Sequence, residues 1–173
     1  VKRLHWANFT GQLFVGWDWV LLRPQFAFEA QFTRARADDS VAKPSCSNRQ
    51  LTLLIIMGGS DPAGLTLKAL DAVERLDGNF RTLVVIGSAF MYDALLADWL
   101  AAANRNYEIC RDVADMAALM ASVDLAVASF GVTAYELAVM GVPSIYLCLT
   151  HDHQESADLF AEAEIAINLG HHE

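Results

Sequence analysis

The chain lacks most of the devices by which a sequence announces a cofactor or a polymeric partner. Its 173 residues hold three cysteines, Cys46, Cys110 and Cys148, with no Cys-x-x-Cys spacing. An odd number of scattered cysteines encodes neither a disulfide framework nor a zinc ribbon, so reduced, inert thiols are expected. No apolar run approaches the ~20 residues that span a bilayer, and the start, Val1-Lys2-Arg3-Leu4-His5-Trp6, has no secretory apolar stretch. A soluble, cytoplasmic protein is expected. Basic residues are scarce as well: 12 Lys and Arg stand against 21 Asp and Glu, a formal charge of −9. A nucleic acid would meet a repulsive average field, so none is expected as a partner. An anionic small molecule stays open, because backbone N–H groups at a helix start bind phosphate whatever the net charge. The Gly-x-Gly-x-x-Gly fingerprint is absent, which argues against NAD or FAD. A P-loop fails too: Gly59 to Gly64 has the glycine spacing, but Leu65 stands where the phosphate-binding Lys belongs. No cofactor is called for.

What the chain has in quantity is apolar residues, 54% of the total against 19% charged. That excludes a disordered tail and suffices for one buried core, the number expected at this length. The opening at Val1 without an initiator Met reads as a piece of a longer chain. Residues 1–32 hold three of the four Trp and five of the nine Phe without a sustained period, as in a segment that packs on something. Asp38 to Gln50 has the composition of a linker. From Leu51 the pattern becomes regular. Leu51 to Met57 is a continuous apolar run of strand length ended by Gly58-Gly59, and continuous apolarity marks a strand covered on both faces. Further strands are expected at Thr82 to Ile86, Tyr107 to Cys110, Asp124 to Ala128, Ser144 to Leu149 and Ile165 to Asn168, the last cut short by Gly170. Helices fall between them, including Thr133 to Met140 closed by Gly141 and one from about Gln154 to Ala163. Such alternation predicts an α/β fold: a parallel sheet of about six strands with helices on both faces.

In open parallel sheets ligands gather beyond the carboxyl ends of the strands, so the loops after each apolar run are the places to look. In Gly58-Gly59-Ser60-Asp61-Pro62, the glycines permit close backbone approach, Asp61 suits an N-cap and Pro62 the first helical position. The loop then aims helix N–H groups at a phosphate, provided that the Asp61 carboxylate turns inward; a plain tight turn is the alternative. The second candidate is Ser129-Phe130-Gly131-Val132-Thr133-Ala134-Tyr135-Glu136. Ser129, Thr133 and adjacent N–H groups suit a phosphate and Glu136 the hydroxyls of a ribose, but Thr133-x-x-Glu136 equally reads as a capping box. The third is His151-Asp152-His153-Gln154-Glu155. With His171-His172-Glu173 it offers metal-ligand types, but the spacing is unconvincing and no metal is expected. A polar helix start facing the cleft is the reading.

These loops, in this order, resemble a known family. Gly58-Gly59-Ser60-Asp61-Pro62 with Leu65-Thr66, then Ser129-x-Gly131-x-Thr133-x-x-Glu136-x-x-x-x-Gly141-Val142-Pro143-Ser144, then a Gln154-bearing helix start, are similar to the C-terminal domain of the nucleotide-sugar hydrolases of pseudaminic acid biosynthesis and the related spore-coat polysaccharide biosynthesis proteins. That family resembles glycosyltransferases of the two-domain GT-B fold. The likeness covers about Leu51 to Leu169, and Gly16 to Phe26, with Leu21-Leu22-Arg23-Pro24, looks like the end of the family's N-terminal domain. It implies residues 1–50 as the tail of that domain plus a linker, and 51–173 as a Rossmann-like nucleotide-binding domain. It further implies UDP or a UDP-sugar as ligand, held by Gly58, Gly59, Ser60, Ser129, Gly131, Thr133 and Glu136, with His153 and Gln154 on the sugar side. The catalytic base would lie upstream of Val1, in a missing N-terminal domain. Two departures stand out: His153 replaces the family's usual Asn, and Phe130 replaces a small residue, where it is expected to narrow the phosphate site. Glycosyl transfer and noncatalytic nucleotide-sugar sensing are the alternatives to hydrolysis.

Overall fold

The computed structural model describes residues 10–12, 16–26 and 50–172. Cys46, Glu173 and nearly all of the expected linker lie outside the described residues. Six strands, β1 (Leu51–Ile56), β2 (Phe80–Ile86), β3 (Tyr107–Arg111), β4 (Leu125–Ser129), β5 (Ser144–Cys148) and β6 (Ala166–His171), alternate with helices α1 (Leu65–Glu74), α2 (Asp93–Ala102), α3 (Met116–Ala121), α4 (Val132–Val139) and α5 (His151–Glu162). Every pairing is parallel, and the strand order is β3-β2-β1-β4-β5-β6. The α/β fold expected from the alternation is therefore present.

The side-chain alternation of the strands sorts the core into two layers. Leu53, Ile55, Met57, Val84 and Ile86 pack under α1 and α2 through Leu65, Leu70, Val73 and Leu96. Leu54, Ile56, Leu83, Val85, Tyr146 and Cys148 pack on the opposite face under α3, α4 and α5 through Met120, Leu137 and Phe160. The helices change face because the chain first steps outward from β1 to β3 and then returns to build in the other direction from β4; crossovers of one hand require that switch. Fully buried side chains such as Leu54, Ile55 and Val84 contribute ~1.5–3 kcal/mol each. Among the described residues, the α1/α2 face is covered by helices only over β1 to β3. Between α1 and β5 a groove of about 290 Å³ runs past Val127, Ile145 and Leu147, and Ile167 and Leu169 of β6 are exposed beside it.

Among the elements after β3, two boundaries differ from expectation by three residues and the others by less. Helix α5 starts at His151, with Thr150 as its N-cap and the Thr150 hydroxyl accepting from His153 N–H at 3.2 Å. The polar stretch 151–154 is thus its first turn, which apolar periodicity cannot reveal. Strand β6 runs through Gly170 to His171 rather than stopping short. Gly170, at φ +84°, sits where the register slips between Tyr146↔Asn168 and Cys148↔His171; it is a bulge residue.

Candidate functional site

The strand order reverses between β1 and β4, and in this class of sheet the crevice outside those two carboxyl ends is where ligands bind. The structure brings the two loops together there. Gly58, at φ +79°, ends β1 so close to β4 that a Cβ on it would lie 3.5 Å from the Ser129 Oγ. Gly59 and Ser60 follow on the exposed rim, and Ser129 is buried beneath it. A residue that the sequence reading overlooked, Gly87, fixes this loop from the other side. A Cβ on Gly87 would fall 2.3 Å from the Gly59 carbonyl oxygen and 2.5 Å from its Cα, and Ala89 N–H donates to the same carbonyl at 3.1 Å. A lone glycine after a strand gives no signal of such contact, because the partner belongs to another loop.

The helix starts differ from the expected arrangement. Asp61 turns inward, as a phosphate loop would need, and is 2% exposed. Its two carboxylate oxygens, however, accept the N–H groups of Leu65 at 2.7 Å and Thr66 at 2.8 Å. Helix α1 therefore begins at Leu65 after a left-handed Gly64, Pro62 is not its first residue, and its first N–H donors are already satisfied. At α4 the N-cap is Gly131, which makes no side-chain cap. Thr133 is a helical residue rather than the cap, so the Thr133–Glu136 capping box does not form. The start of α4 therefore has no side-chain cap, and Ala134 N–H donates back to the Gly131 carbonyl at 3.0 Å, which leaves the N–H groups of Val132 and Thr133 at the helix end.

Glu136 is 5% exposed. Its Oε1 accepts from Arg23 Nε at 3.2 Å and Nη2 at 3.0 Å. Arg23 belongs to the segment 16–26, which lies across α4 and α5: Phe26 is fully buried, Leu22 packs beside it, and the Trp17 ring sits 5.2 Å from that of Phe160. Phe130, expected to narrow a phosphate site, turns into the core instead. It is 4% exposed and makes edge-to-face contacts with Tyr135, Tyr146 and Phe160 at 5.3–6.0 Å, an arrangement that aromatic quadrupoles favour. The His153 ring lies 6.3 Å from Phe130, beside the β4 loop, and its buried Nδ1 has no partner among the described residues. Gln154 points away from His153, to within 4 Å of where a Gly170 Cβ would stand. The structure thus sets Gly58 and Ser129 side by side at the ends of β1 and β4, with Gly131, Thr133 and Glu136 following at the start of α4 and His153 beside Phe130, while Gln154 lies against Gly170.

Among the described residues no group of three or more His, Cys, Asp and Glu side chains forms a metal site; the rings of His151, His171 and His172 instead stack in series at 4.9 and 4.6 Å. Nor is any helix among them long and apolar enough to cross a membrane. Burial, followed by the nearby Asp158 charge, pushes the Cys148 thiol up to about 11. Since only the thiolate is nucleophilic, about one molecule in a thousand is reactive at pH 8. Iodoacetamide at that pH is expected to modify Cys148 only after unfolding, as read by peptide mass spectrometry; rapid labelling of the native chain would contradict the burial.

The class defined by this geometry is a doubly wound α/β domain whose strand order reverses between β1 and β4. No protein-family model matches the chain. It is similar to the spore coat polysaccharide biosynthesis protein SpsG of Bacillus subtilis, 29% identical over 163 residues, which cover 92% of this chain and 44% of that protein. It is also 29% identical over 147 residues to the uncharacterized protein MJ1062 of Methanocaldococcus jannaschii, covering 84% of this chain and 29% of that one. The chain therefore spans less than half the length of these curated relatives. Among solved structures, one of EarP-mediated arginine glycosylation of translation elongation factor EF-P aligns at TM-score 0.49 and 19% identity, over 80% of this chain and 50% of that one. A glycosyl transferase family 9 protein from Veillonella parvula aligns at 0.45 and 13%, over 85% and 45%.

Proposed function

We propose that this chain is the nucleotide-binding half of a bidomain nucleotide-sugar hydrolase of cell-surface polysaccharide or nonulosonate biosynthesis, and that UDP or a UDP-sugar occupies the β1/β4 crevice. The observation that carries the reading is the contact of Gly58 with Ser129 at the strand-order reversal, beside the uncapped start of α4. Similarity to SpsG over 92% of the chain supports it. The diphosphate rests on the first N–H groups of α4, with the Ser129 hydroxyl and the Gly58-Gly59-Ser60 turn completing its shell. The ribose hydroxyls donate to Glu136, which Arg23 engages through Oε1. The unpartnered His153 Nδ1 faces the sugar, with Gln154 at the margin. Hydrolysis needs a base to activate water and a second wall to exclude bulk solvent. Both belong to a domain outside this chain, so the chain binds UDP without turning it over.

Calorimetric titration of UDP tests the reading. Glu136→Gln is expected to weaken UDP by ~1–3 kcal/mol through loss of charge-assisted hydrogen bonds. Its stability cost should stay near ~1 kcal/mol, since Arg23 is half exposed and such pairs contribute little. Unchanged affinity, with wild-type binding measurable, would remove Glu136 from the site; no binding of UDP by the wild-type chain would end the proposal.

A further inference from the structure

We infer that Arg23 is a nucleotide-binding residue: its guanidinium holds Glu136 along one edge and presents its remaining donors to the diphosphate, so that segment 16–26 forms one wall of the site. The inference rests on the nucleotide-binding reading and adds to it the source of the positive charge.

A nucleoside diphosphate entering the crevice meets a difficulty. The chain carries a formal charge of −9, and the group that suits the ribose, Glu136, is a buried carboxylate one helical turn from the phosphate position. Thr133 and Glu136 are three residues apart on α4 and so share a face, about 5–6 Å from one another. An uncompensated carboxylate at that distance repels a phosphate. Arg23 alone among the described basic side chains touches α4. Arg81 and Arg111 pair with Glu108 and Asp93 at β2, β3 and the start of α2, Arg105 donates to the carbonyls of Leu76 and Gly78, and Lys68 and Arg75 ride on α1, which covers the opposite face of the sheet.

The geometry of the pair suits a second task. A guanidinium has five N–H donors in a fixed fork, and two of them, on Nε and Nη2, converge on Glu136 Oε1. That leaves three, two of them paired along the Nη1/Nη2 edge, in a side chain that is 53% exposed while its partner is 6% exposed. Planar N–H pairs of this kind match phosphate oxygens. The side chain is held in place from behind as well: the guanidinium lies over the Phe26 ring at 5.0 Å, and Phe26 is locked in the core. Arg23 is thus a preorganised cation whose anchor is buried while its own side chain is half exposed.

The test is calorimetric titration of the 173-residue chain with UDP and, separately, with uridine, for wild type, Arg23→Lys and Arg23→Ala. Phosphate contact predicts that Arg23→Ala weakens UDP at least tenfold and uridine less than threefold. Arg23→Lys should fall between, because an ammonium keeps the charge but not the fork. A residue that only braced segment 16–26 or aligned Glu136 would lower both ligands by the same factor, and that result overturns the inference, as does UDP affinity unchanged in both variants. Melting curves of the variants check that segment 16–26 remains docked; Arg23→Lys, with Phe26 and Leu22 intact, keeps the comparison valid if Arg23→Ala melts early. Failure of the wild-type chain to bind either ligand would instead overturn the nucleotide-binding reading, and this inference with it.

Discussion

Gly87→Ala is expected to destabilise the fold by about 3 kcal/mol, at the upper end of what overpacking costs. The added methyl would stand 2.3 Å from the Gly59 carbonyl oxygen, 2.5 Å from its Cα and 2.6 Å from its carbonyl carbon. All three are backbone atoms, so no side chain can rotate out of the way. Relief requires the β1–α1 turn to withdraw from the β2 loop, which breaks the bond from Ala89 N–H to the Gly59 carbonyl and moves the glycines at the crevice. Both stability and UDP affinity should therefore fall. Gly59→Ala is the control: nothing lies within 4 Å of a Cβ there, and its cost should remain under ~1 kcal/mol. Urea unfolding at constant m-value measures the difference. Equal midpoints for the two variants would show that the loops are not in contact.

Asp61→Ala is expected to cost about 3 kcal/mol by a different route. The substitution leaves the N–H groups of Leu65 and Thr66 without acceptors at a buried position, each orphan costing ~1–3 kcal/mol less whatever water recovers. Alanine, like the Asp61 it replaces, also carries a Cβ at φ 44°, a conformation ~1–2 kcal/mol costlier with a Cβ than for glycine. Asn retains one acceptor and tolerates that conformation; Gly loses both acceptors but relieves the strain. The expected order of melting temperature is Asp, Asn, Gly, Ala. Ala ranking above Gly would show that backbone conformation contributes nothing here.

Most of the sheet was legible because β1 and β2 are buried on both faces and carry uninterrupted apolar runs, and because the helices between them repeat at 3.6 residues. The interior positions of the strands followed, with errors only at their ends. What escaped was long-range or polar. Arg23 and Glu136 are 113 residues apart, and no local pattern encodes that meeting; Arg23 was noticed only as part of Leu21-Leu22-Arg23-Pro24. The Thr133–Glu136 spacing suggested a capping box because sequence shows i,i+3 pairs but not where the helix begins. The inward turn of Phe130 depended on a pocket lined by Tyr135, Tyr146 and Phe160, three residues that share no periodicity with it.

The strand order also sets when the crevice can exist. Pairing β1 with β2 joins Leu53 to Thr82, a separation of 82 − 53 = 29 residues, whereas pairing β1 with β4 joins Leu53 to Leu125, a separation of 125 − 53 = 72. The extra loop closure costs less than ~1 kcal/mol of chain entropy, because that entropy grows only with the logarithm of length. In time the difference matters more, since contacts distant in sequence form late. In the half containing β1 to β3, and in the half from β4 to β6, every strand pairs with its neighbour in sequence. Gly58 and Ser129 meet only when the two halves dock, so their juxtaposition is absent from every partly folded state that lacks the central seam.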